Sequence, residues 1–199
     1  VAFGYGQPAM MTSGGAQDAR PIIMAQSEIQ KSSIKEKLRK HLLEERLDSA
    51  VNVHLNERGV LIRIYADKVK FERGSSRLPA LYKKVLDKVA EVLETTPNAR
   101  QINGYTDNLP GDNWSISSQR AVNTVKYLST KNIAPERMSA VGYGEYSPLV
   151  PNSDPVRRGM NRRIDIQVLK GPLLNELVDQ NRVREEFDPV VSPAEIRSR

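Results

Sequence analysis

An acidic and a basic side chain on either side of a short polar loop can hold a zwitterion. The stretch Gly104 to Ala121, GYTDNLPGDNWSISSQRA, has that arrangement in Asp107 and Arg120. Asp107 follows an apolar, strand-like run from Gln101 to Tyr105, and Arg120 falls in the first turn of a helix whose start is signalled by Ser115 and Ser117. Ala121, Val125 and Leu128 give that helix an apolar face, so strand end, loop and helix start converge on one surface spot. A guanidinium grips a carboxylate through two parallel hydrogen bonds, and a helix N-terminus offers the same anion unpaired N–H groups and partial positive charge. A carboxylate such as Asp107 holds an ammonium. The pair suits a ligand with an amino group and a carboxylate close together, such as the free amino-acid end of a larger polymer. The competing reading is that Asp107 and Arg120 pair with each other as a surface salt bridge, worth roughly 0–1 kcal/mol.

Catalytic chemistry has little to stand on. His41 and His54 are the only histidines, without HExxH spacing, and there are no cysteines for zinc, disulfides or thiolate chemistry. No GxSxG elbow or phosphate loop occurs, and Gly142-Tyr-Gly144 lacks the third glycine and following helix of a dinucleotide site. Asp112 can be paired with Asp107 as a hydrolase dyad, but it lies between Gly111 and Asn113 in a polar loop without an apolar pocket to raise its pKa. The expectation is a binding module, with no catalytic residue, metal or cofactor. The net charge of +6 raises the question of nucleic acid. Yet Lys31 to Arg46 and Lys83 to Glu94 interleave both signs, as solvated helix faces do, and no nucleic-acid partner is expected. Only Arg157, Arg158, Arg162 and Arg163 cluster densely, where they can meet phosphates or carboxylates.

Helix and strand signals alternate around these residues. Glu28 to Leu47, after a cap at Ser27, puts Ile34, Leu38, Leu42, Leu43 and Leu47 on one face. This helix either packs on its own domain or meets a second copy, and the first is favoured. Val51 to Leu55 and Val60 to Tyr65 read as a hairpin about Asn56-Glu-Arg-Gly59. Ala80 to Leu93 is a helix with Leu81, Val85, Val89 and Val92 or Leu93 inward. A strand at Gln101 to Tyr105, a helix at Ile116 to Thr130, and strands at Met138 to Gly142 and Arg163 to Leu169 follow. The pattern is that of an α+β sandwich, a mixed sheet covered by helices on one face. Residues 1–27, rich in glycine and without period, read as a flexible arm, 28–48 as a linker helix, 49–170 as the domain and 171–199 as a tail. The apolar start is too short and broken to span a bilayer.

Gly104-Tyr-Thr-Asp107, Asn113-Trp-Ser-Ile-Ser-Ser-Gln-Arg120-Ala121, Val141-Gly-Tyr-Gly-Glu145 with Pro148, and Asn161-Arg-Arg-Ile-Asp-Ile166 resemble, in order, the motifs of the OmpA-like peptidoglycan-binding domain. That resemblance implies a βαβαββ-type sandwich and binding of the diaminopimelate of the peptidoglycan stem peptide by Asp107 and Arg120. It adds Thr106 of the same motif, and it implies that Arg162 or Arg163 supports the site, unless the arginines fix the start of the last strand. Glu57 to Ile64, Lys70 to Ser76 and the Asn-Trp pair are similar to the stator B (MotB) subunits of the flagellar motor, with Tyr105 where those carry His and Ile116 where they carry Leu. This implies a periplasmic domain of an inner-membrane protein, a homodimer, and a MotA-like membrane subunit engaged through a transmembrane part. Outer-membrane porin tails, a lipoprotein and a type VI secretion anchor share the domain and form the alternative. Asn113 either caps the turn or bonds the ligand. Trp114 either stacks on the ligand or, more in keeping with its place, staples the helix entry. Phe71 lies beside the site or in the core.

Overall fold

The computed structural model describes residues 19–172, with side chains from 28 to 170. Residues 171 and 172 of the expected 171–199 tail belong instead to the last strand, and the rest of that tail and most of the expected N-terminal arm, residues 1–18, lie outside the described residues. The elements run α1 Ala19–Glu44, β1 Val51–Asn56, β2 Gly59–Tyr65, α2 Ala80–Leu93, β3 Asn98–Tyr105, α3 Asn113–Ser129, β4 Met138–Gly142, α4 Pro155–Asn161 and β5 Arg163–Pro172. From β2 onward this is the expected βαβαββ order, with the short α4 set into the last connection.

The strands form one mixed sheet in the order β1-β2-β5-β3-β4. Only the β3–β4 pair is parallel. The last strand is therefore central, wedged between β2 and β3, with Ile62 and Ile102 both opposite Ile166. Side chains alternate across a strand, so Ile164, Ile166 and Val168 of β5 face one way and Arg163, Asp165 and Gln167 the other. The apolar set joins Val60, Ile62, Ile64 and Ile102 in a core closed by Leu38 and Leu42 of α1, Val85, Leu86 and Val89 of α2, and Ala121 and Leu128 of α3. All three helices thus cover one face, as the sequence implies.

Several element limits differ from expectation. The first helix begins at Ala19, not after Ser27, so residues 19–27 are helical and not an arm. Pro21 is tolerated there because first-turn N–H groups have no intrahelical partner. Leu43 is exposed, unlike Ile34, Leu38, Leu42 and Leu47, and the helix packs on α2 and β1 of its own domain. Helix α3 starts at Asn113, earlier than the serines suggest, because the Asp112 carboxylate accepts a 3.1 Å bond from the Ser115 N–H. Hydrogen bonding from Ser115, its side chain first and then this N–H, lowers the Asp112 pKa, the opposite of what an acid catalyst needs. Helix α4 was not expected; Asp154 caps it and Pro155 opens it.

One buried charge has no sequence signal of its own. Arg100 lies on the core face of β3, 1% exposed, and donates to the Leu93 and Thr96 carbonyls at the end of α2. Burial pushes its guanidinium down to about 10.

Helix α3 sits so close to the sheet that only glycine fits beneath it. A Cβ on Gly104 would lie 2.1 Å from the Ser117 carbonyl oxygen, and one on Gly142 would lie 2.1 Å from the Ser118 hydroxyl. In the first case the obstacle is backbone, so the helix itself would have to move. Gly104→Ala is expected to lower the unfolding free energy by about 1–3 kcal/mol, read from urea denaturation.

Candidate functional site

The close seating of α3 brings its pocket-facing side, Asn113, Ile116 and Arg120, up against the loop that follows β3. Between them lies a cleft of about 480 Å³ lined by Phe71, Thr106, Asp107, Asn113, Arg120 and Arg162, and also by Asp67. Every expected site residue except Arg163 is in this lining.

Asp107 is 5% exposed. Its Oδ1 accepts from the Leu109 N–H at 3.2 Å, and its Oδ2 accepts from Nη1 of Arg162. Arg162 in turn donates Nε to Asp67 Oδ1 at 2.7 Å and Nη2 to the other Asp67 oxygen. These bonds, those to Asp67 first, raise the Arg162 pKa well above its usual range. Arg162 is thus held between two carboxylates, one buried and one on the rim. Thr106 beside them has a buried hydroxyl without a hydrogen-bond partner among the described residues.

Arg120 is 4% exposed, and its hydrogen bonds go to backbone carbonyls and not to Asp107. Its Nε donates to the Ser75 carbonyl at 2.8 Å and Nη2 to the Glu72 carbonyl at 3.2 Å. The guanidinium carbon stands 4.6 Å from the Phe71 ring centre, and Phe71 meets Tyr82 edge-on in the core. Phe71 therefore fills both expected roles at once. Burial pushes the Arg120 guanidinium down to about 10, partly opposed by Asp67, so it remains charged at neutral pH. Among the described residues its Nη1 has no hydrogen-bond partner. The surface salt bridge between Asp107 and Arg120 does not form: each has its own partner, and neither charge is spent on the other.

Two details of the expected site change. Arg120 sits about two turns into α3 rather than in its first turn, so the helix N-terminus and the guanidinium are not one anion site. Arg163 lies on the opposite face of the sheet, because neighbouring residues at the start of a strand point to opposite sides. Its guanidinium stacks 3.7 Å from the Tyr105 ring centre and donates to the Ser147 carbonyl. Asn161 is structural, receiving the Leu149 and Val150 N–H groups on its side-chain oxygen. Of the arginines that cluster in sequence, Arg158 lines the cleft with Arg162 while donating to the Asn152 carbonyl, whereas Arg157 pairs with Asp154.

Asn113 caps nothing; its Nδ2 donates to the Leu109 carbonyl at 3.0 Å and to Glu145 at 2.7 Å, bracing the loop above the cleft. Trp114 is neither in the cleft lining nor a buried staple, being 53% exposed. Asp67 was missed. Its only sequence signal is an acid just past the end of β2, and it matters because β2 pairs with β5, which places it beside Arg162.

Residues 70–162 match the OmpA family. The peptidoglycan-binding protein ArfA of Mycobacterium tuberculosis is 41% identical over 98 residues, 48% of this chain and 30% of ArfA. Motility protein B of Bacillus subtilis is 28% identical over 145 residues, 69% of this chain and 55% of that protein. The chain thus spans 30% and 55% of the length of these two relatives. Among solved structures, a MotB-like protein of Desulfovibrio vulgaris shares the fold, with a TM-score of 0.67 at 24% identity over 78% of this chain and 100% of that one.

Because Arg120 ties α3 to the loop around Glu72 and Ser75, it should matter for stability as well as for charge. Arg120→Met is expected to lower the unfolding free energy by about 1.5–3 kcal/mol and to speed amide exchange around Ser75 and Ser76. Urea denaturation and hydrogen exchange by mass spectrometry measure the two effects.

Proposed function

We propose that the OmpA-like domain over residues 70–162 is a peptidoglycan-binding module whose cleft takes the diaminopimelate of the stem peptide, and that this chain anchors a flagellar stator complex to the cell wall. The observation that carries this reading is that Asp107 and Arg120 line one cleft while being bonded to different partners. A side-chain ammonium would bind the Asp107 carboxylate, with the Thr106 hydroxyl beside it, and the adjacent carboxylate would meet Nη1 of Arg120. Arg162 keeps the Asp107 carboxylate in place, Phe71 backs Arg120, and Asn113 braces the rim. Arg163 has no part in the contact. The module binds without reacting, consistent with relatives whose names describe binding and motility.

The similarity to ArfA covers the domain alone and bears on what is bound. Similarity to Motility protein B covers 69% of the chain, more than the family match, and supports the stator branch for what the domain is attached to. On this reading the domain is periplasmic, works as one of two copies, and is joined through a transmembrane part to a MotA-like membrane subunit. Among the described residues no helix is long and apolar enough to cross a membrane.

Asp107→Asn keeps the shape of the side chain and removes its charge, while Asp67 still neutralises Arg162. It is expected to weaken binding of a diaminopimelate-containing muropeptide by about tenfold or more, read by calorimetry and by pelleting with wall sacculi. A muropeptide carrying lysine in place of diaminopimelate lacks the second carboxylate and should bind the unaltered protein comparably weakly. Equal binding of both muropeptides, or undiminished binding by Asp107→Asn, would overturn the assignment.

A further inference from the structure

Trp114 and Tyr146 are 53% and 67% exposed, and they are the only aromatic side chains exposed to this degree among the described residues. Their rings stack, with centroids 5.4 Å apart and planes 27° apart. Neither ring contributes to the core, and neither lines the charged cleft. Yet they stand next to it in the chain and in space: Asn113, which does line the cleft, donates to Glu145, and these are the immediate neighbours of Trp114 and Tyr146.

The pair is held by bonds that fix its backbone. Ser117 Oγ donates to the Trp114 carbonyl at 3.0 Å and accepts from the Gly144 N–H at 2.9 Å. The Thr106 N–H donates to the Gly144 carbonyl at 2.9 Å, and the Tyr146 N–H to the Tyr143 carbonyl at 3.2 Å. Two rigid rings left in water, on a loop tied to both the cleft and the helix, lose little conformational freedom when something covers them.

We propose that the Trp114–Tyr146 stack is a second contact site of the module, a platform for the sugar rings of the glycan whose peptide occupies the charged cleft. The inference rests on the function proposed above. A pyranose presents a face of C–H groups with partial positive charge, which suits the negative face of an aromatic ring, while its hydroxyls seek polar groups at the rim. Glu145, Asn113 and Ser115 supply such groups. A protein partner fits less well, because two rings with a polar surround fall far short of the roughly 800 Å² per partner of a stable interface. The cleft's charges suit a zwitterion, so the uncharged sugars of the same polymer need a different surface.

Trp114 is the only tryptophan in the chain, so its fluorescence reads this site directly. The experiment titrates the protein with a peptide-free oligomer of N-acetylglucosamine and, separately by calorimetry, with a glycan-free diaminopimelate peptide. The expected result is a saturable change in Trp114 emission with the sugar, weakened about threefold to tenfold in Tyr146→Ala and restored in Tyr146→Phe. No saturable change up to about 10 mM sugar would overturn the platform, as would a change undiminished in Tyr146→Ala. Binding of the peptide with a silent sugar titration removes this inference and leaves the peptide-binding reading standing. Failure of the peptide to bind removes the peptide-binding reading whatever the sugar does.

Discussion

A carboxylate with 5% exposure needs a counter-charge, and the way Asp107 obtains one organises the whole binding region. Its partner Arg162 precedes β5, while Asp67, which holds the other edge of the same guanidinium, follows β2. One arginine therefore ties together the ends of β2, β3 and β5, three strands adjacent in the sheet and far apart in the chain. The planar fork makes this possible, since a guanidinium can face carboxylates on two sides where an ammonium would act as a point charge. Because Asp67 is on the rim and Asp107 is buried, the shared cation gives Asp107 its counter-charge without closing off the cleft.

The opposite wall is built differently. Arg120 is buried with no carboxylate bonded to it, and its compensation comes from the Glu72 and Ser75 carbonyls and the face of Phe71. Carbonyl dipoles and a π face orient a cation but do not neutralise it. The two walls thus present opposite charge across a gap, one already balanced and one not. Such a site favours a ligand that brings a negative group to the unbalanced side, and a zwitterion does so while adding no net charge.

The elements were legible in the sequence because each is short-range. The β1–β2 hairpin, the apolar stripe of α2 and the strand before Asp107 follow from period and turn residues within a dozen positions. Asp107 and Arg120 could be picked out because a short loop joins the elements that carry them. What could not be read is what depends on the order of strands. Asp67 joins the site only because β5 pairs with β2, and no local pattern states that pairing. The choice between Arg162 and Arg163 is a matter of parity at the start of β5: one residue faces the cleft and the next stacks on Tyr105 across the sheet. Trp114 misled in the ordinary direction, since an aromatic residue at a helix entry is more often buried than left in water.

An open cleft with a balanced wall is not built for tight binding by itself. Part of the electrostatic gain from an ammonium at Asp107 is already taken by Arg162. The wall polymer proposed as ligand repeats its peptide many times, and two such domains held together, as the proposal has it, would convert the second contact into an intramolecular event at high effective concentration. Weak sites then add to firm attachment while each contact can release singly. An anchor under fluctuating load benefits from that division, because a single lost contact can re-form before the others let go.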